Sequence, residues 1–128
     1  MRKNKKQLSS SSSTGGSGIL FENRVQASFV VLMLTNSFAP CLSPWPIIKI
    51  KLQGKYQGFE TDDFIVYAKE PSADRETKLI GQIKRTIKIT NNEDFREVIQ
   101  AAWNDFNNSK VFNEGADIIA LICGPLSA

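Results

Sequence analysis

Two short runs, Phe64-Ile65-Val66-Tyr67-Ala68 and the stretch opening with Leu79-Ile80-Gly81-Gln82-Ile83, place apolar groups at consecutive positions rather than alternate ones. Successive side chains on a strand point to opposite faces, so both runs are apolar on both faces. Such strands belong in the middle of a sheet covered on each side. The cover is visible in the same sequence. Phe21, Val25, Phe29, Leu32 and Met33 recur at helical spacing over residues 19–35. Phe95, Val98, Ile99, Ala102, Trp103 and Phe106 mark one apolar helix face over residues 92–107, entered by a Thr90/Glu93 capping box. Ile48, Ile50 and Leu52 alternate with Lys49 and Lys51, which predicts a strand with its lysines toward water. The continuous run from Ala116 to Cys123 predicts a strand inside the sheet, and the third strand is expected over residues 79–89. The order is αβββαβ, an α/β fold with a central four-stranded mixed sheet flanked by helices.

The 128 residues suit one domain. Residues 1–18 hold a basic stub, five consecutive serines from Ser9 to Ser13 and a Gly/Ser stretch, and are expected to form a disordered tail. The folded domain is expected over residues 19–128. Four of the sixteen basic groups lie in that tail, leaving twelve against thirteen acids beyond it, a net charge of −1. The formal charge of +3 therefore says little about the folded body. No apolar stretch approaches the ~20 residues of a membrane helix, and no targeting signal is visible, so the cytoplasm is the default location. The chain has no histidine and two widely separated cysteines, Cys41 and Cys123. Zinc fingers and histidine-based catalysis are thereby set aside. Acid–base chemistry must use carboxylates, lysine or metal-bound water.

Four polar side chains stand at informative places: Glu22 near the start of the first helix, Asp63 at the mouth of the second strand, and Gln82 and Lys84 on the third. Gln82 and Lys84, two apart, share one face. With Ala68 opposite Leu79, Asp63 falls opposite Lys84 and Ile65 opposite Gln82. A carboxylate, an amide and an ammonium then meet at one hairpin mouth, an arrangement suited to a divalent metal and a phosphodiester. Taken singly each residue has an ordinary reading: Asp62-Asp63 as a turn, Gln82 as an edge amide, Lys84 as a snorkelling lysine. Lys84, Arg85 and Lys88 form one basic cluster and Lys49, Lys51 and Lys55 another; either reads equally as a solvated face. Glu22 and Gln26, one turn apart, make a helix face that would line such a site, although Gln26 taken alone reads as a polar helix position; Trp45 in the proline-rich loop 36–46 reads as a packing plug.

The element order, with Gly18-Ile19-Leu20-Phe21-Glu22, Thr61-Asp62-Asp63 and Gly81-Gln82-Ile83-Lys84 on the matching elements, resembles the PD-(D/E)XK nuclease superfamily. More narrowly it resembles the N-terminal double-stranded DNA endonuclease domain of bacterial antiphage effectors. The resemblance implies a restriction-endonuclease-like fold and a Mg²⁺ (or Mn²⁺) site. There Glu22, Asp63, the Gln82 amide and the Ile83 carbonyl would hold the metal, with Gln82 standing where other members have a carboxylate. Lys84 would orient the attacking water, and Lys84, Arg85 and Lys88 would meet DNA. The partners it implies are double-stranded DNA, a second copy of the chain and a C-terminal sensor or STAND-type NTPase domain, in the bacterial cytoplasm. It also implies family helices beyond residue 128. The alternative is a module that keeps the fold without catalysis and binds nucleic acid or protein.

Overall fold

A computed structural model describes residues 2–52, 58, 60, 61 and 63–126. Lys55, most of the link from Gly54 to Gly58, and Asp62 lie outside the described residues. The elements are α1 (Arg2–Leu34), β1 (Ile47–Leu52), β2 (Phe64–Lys69), β3 (Glu76–Lys84), α2 (Glu93–Phe106) and β4 (Ile118–Cys123). The sheet runs β1-β2-β3-β4, with antiparallel β1/β2 and β2/β3 pairs and a parallel β3/β4 pair. A parallel pair needs a long crossover, which α2 provides. The αβββαβ order and the helix-flanked mixed sheet match the expectation from apolar periodicity.

The two faces of the sheet carry separate cores. Phe64 and Val66 of β2, Leu79 and Ile83 of β3, and Ile47 of β1 pack with Phe29 of α1. Ile65 and Ile80, on the opposite face, pack with Val111 and Phe112 from the segment after α2. Phe106 at the end of α2 stands behind Phe112, ring centroids 5.1 Å apart. Both central strands are therefore buried on both sides, as their composition demands.

Six details depart from the sequence reading. Helix α1 starts at Arg2 and takes in most of the segment expected to be a disordered tail. Its packed part is the stretch from Phe21 to Met33, whereas Ile19 and Leu20 are largely exposed. In β1 a bulge between Ile47 and Lys49 breaks the alternation. Ile47 is buried, Ile48 and Leu52 are about half exposed, and Lys49 sits 4.3 Å over the Tyr67 ring. Strand β3 starts at Glu76, where the loop after β2 closes tightly with Glu70 N–H donating to the Arg75 carbonyl at 2.9 Å, and it ends at Lys84. Strand β4 lies at the sheet's edge rather than inside it. The N-cap of α2 is Asn92, whose side chain accepts from Phe95 N–H at 2.8 Å, in place of Thr90. Finally, α2 turns Val98 and Asp105 inward and leaves Ile99 and Trp103 exposed.

Gly81 has a definite packing role. A Cβ there would fall 2.2 Å from Cε1 of Phe64, a ring that is fully buried and held edge-on by Phe29 at 4.9 Å. Gly81→Ala is expected to destabilise the fold by about 1–3 kcal/mol through overpacking. Thermal melting unchanged from wild type would contradict this account of the glycine.

Candidate functional site

The hairpin register differs from the expected one by two residues. Phe64 faces Gly81 and Ala68 faces Thr77, so the position opposite Asp63 belongs to Gln82 rather than Lys84. An even shift leaves every side chain on its face, whereas an odd one would have reversed them. The pairing of Asp63 with Lys84 is replaced by one with Gln82. Asp63 stands immediately before β2, and its Oδ2 accepts from Gln82 Nε2 at 2.8 Å and from the Ile83 main-chain N–H at 2.5 Å. A strand residue projects its N–H and C=O to the same side. The Ile83 carbonyl is thereby directed to the side of β3 on which Asp63 lies, beyond the point where β2 has ended.

Helix α1 reaches the same point from the other face of the sheet. Gln26 Nε2 donates to Glu22 Oε2 at 3.2 Å and to the Asp63 main-chain oxygen at 3.2 Å. Glu22, Gln26, Asp63, Gln82 and Ile83 thus form one hydrogen-bonded group around the end of β2. Pleating puts Gln82 and Lys84 with Ile80, on the face covered by Val111 and Phe112. Glu22 therefore approaches around the strand end rather than across a shared face. Lys84 is half-buried and lies in register with Cys123 of β4. Arg85 and Lys88 are exposed on the segment leaving β3. Their carbonyls are fixed by Gly124 N–H at 3.1 Å and by Asn92 Nδ2 at 3.1 Å.

Two residues that hold this end of the molecule together are not apparent from motif reading. Gln26 is one; its spacing of four from Glu22 suggested a shared helix face, but not its bond to the Asp63 main chain. Asp105 is the other. It is 1% exposed and accepts from Glu60 N–H at 2.8 Å and Thr61 N–H at 2.7 Å. Asn104 adds a bond from Nδ2 to Glu60 Oε1 at 2.8 Å. The C-terminal turn of α2 thereby anchors the approach to Asp63. Its sequence signal was an acid seven residues after Val98, on the helix's inward stripe.

By residue type, this group contains oxygen donors that a hard divalent cation would accept. Among the described residues no three acidic or thiol side chains converge. Mg²⁺, however, takes only one or two protein carboxylates and keeps several waters. Glu22 and Asp63 would be the two carboxylates, and the Gln82 amide oxygen and Ile83 carbonyl would be neutral oxygen donors of the right type. No helix among the described residues is long and apolar enough to cross a membrane. Compared with protein-family models, curated proteins and solved structures, the chain matches none.

Proposed function

We propose that this chain is a metal-dependent endonuclease domain acting on double-stranded DNA, the effector part of a bacterial antiphage system in the cytoplasm. The observation that carries the reading is the group at the end of β2. Asp63 is bonded to Gln82 and Ile83 and tied through Gln26 to Glu22, with Lys84 next along β3. In this reading Glu22, Asp63, Gln82 Oε1 and the Ile83 carbonyl hold Mg²⁺ or Mn²⁺. The ion supplies Lewis acidity and a bound water of lowered pKa. Lys84 would orient the attacking water and offset negative charge developing on the phosphate. Arg85 and Lys88 bind flanking phosphates, and a second copy and a C-terminal sensor or NTPase domain govern activity.

Plasmid incubated with the protein and Mg²⁺ should be nicked or linearised, and EDTA should stop it. One observation favours the non-catalytic module instead. The bonds of Asp63 Oδ2 to Gln82 and Ile83 are also what a purely structural strand cap would make. DNA binding without cleavage in the presence of Mg²⁺ would decide for that module. Both readings use the basic cluster. Replacing Arg85 and Lys88 together with alanine should flatten the slope of log K against log salt by roughly 1.8, about 0.9 for each phosphate no longer neutralised. An unchanged slope would remove these two residues from the interface.

A further inference from the structure

We infer that Gln26 is a positioning residue of the metal site, the link that sets the Glu22 carboxylate relative to Asp63. The inference rests on the proposed function. An i,i+4 pair on an exposed helix would be an ordinary surface contact worth a few tenths of a kcal/mol. Gln26 differs because a single amide nitrogen serves two acceptors on different elements, Glu22 Oε2 on α1 and the Asp63 carbonyl at the mouth of β2, both at 3.2 Å. Its two N–H groups point along fixed directions of one planar amide. Satisfying both acceptors at once therefore fixes the rotation of the Glu22 carboxyl and its distance from the strand. Neither carboxylate gains charge or a ligand atom from this contact; what it sets is their relative placement. Gln26 is itself half-buried, so water competes poorly for these bonds. Groups that hydrogen-bond to a metal-ligating carboxylate orient it and raise metal affinity, and their removal typically lowers affinity by 10–100-fold.

The test is Mn²⁺ binding to the full chain by calorimetry, well below the melting temperature, in wild type, Gln26→Met, Glu22→Gln, the double variant and Asp63→Asn. Methionine keeps length and helix propensity while removing both donors. The expected result is a Kd for Mn²⁺ about 10–100-fold weaker in Gln26→Met. In the Glu22→Gln background the same change should add less than about twofold, because the two residues act as one unit. A structural role alone would lower the melting temperature and leave the affinity of the folded protein unmoved. Gln26→Met binding Mn²⁺ like wild type, or full additivity in the double variant, overturns the inference while leaving the proposed function standing. Wild type and Asp63→Asn binding Mn²⁺ equally would overturn both. Should Gln26→Met fail to fold, Gln26→Ala carries the same comparison.

Discussion

If the proposed nuclease reading holds, Asp63→Asn and Lys84→Ala are each expected to abolish Mg²⁺-dependent plasmid cleavage, with rates falling by at least about 100-fold, the loss usual for a group that meets charge developing in a transition state. Asparagine is the sharper substitution at residue 63. Its Oδ1 still accepts from the Ile83 N–H that Asp63 holds at 2.5 Å, so the strand end keeps its main-chain partner. What disappears is the carboxylate charge. Asp63→Ala would mix two effects, because an orphaned Ile83 N–H alone costs about 1–3 kcal/mol. Lys84→Ala removes the ammonium placed on the same face as Gln82 and leaves the backbone pairing to Cys123 unchanged. DNA binding measured without metal should survive Asp63→Asn, since the proposal assigns the phosphate contacts to Arg85 and Lys88. Cleavage that persists in Asp63→Asn would place the chemistry elsewhere or reveal a contaminating nuclease. Absence of Mg²⁺-dependent cleavage by wild type would favour the non-catalytic module.

Asp105→Ala produces the largest expected loss of stability away from the apolar core. The carboxylate is 1% exposed and receives the N–H groups of Glu60 and Thr61. Alanine leaves two main-chain donors without an acceptor, at about 1–3 kcal/mol each. It also opens a void between α2 and the loop. A total of roughly 2–5 kcal/mol corresponds to a fall of about 10–20 °C in Tm for a domain near this size. Because residues 60 and 61 lead directly to Asp63, cleavage should fall with folding rather than by a separate route. The check is calorimetric melting of Asp105→Ala beside Asp105→Asn, which keeps one acceptor and should lose about half as much. A Tm within a degree or two of wild type for Asp105→Ala would mean that the loop finds other partners and that α2 does not anchor it.

Periodicity alone determined the element types, their order and the placing of β2 and β3 at the centre of the sheet. These follow from which faces of each segment are apolar, a property written locally in runs such as residues 64–68. The sharing of a face by Gln82 and Lys84 was likewise local, because it depends only on the two-residue repeat of a strand. Parity of the pairing put Asp63 on the face of Gln82 and Lys84, but the two-residue difference in register decided that Gln82, not Lys84, lies opposite it. Tertiary structure decided the rest. Register is set by how the loop from Lys69 to Glu76 closes, which the flanking apolar runs do not encode. An apolar run reports burial of its faces and says nothing of hydrogen-bonded neighbours at its sides, so β4 could be read as internal and yet lie at the edge. The bulge at Ile48 depends on pairing with β2. The inward turn of Asp105 depends on amides 44 and 45 residues earlier in the chain. The second bond of Gln26 reaches a carbonyl 37 residues away. Each is a contact between distant segments, and the one-dimensional pattern carries the residue types that can make it but not the geometry that brings them together.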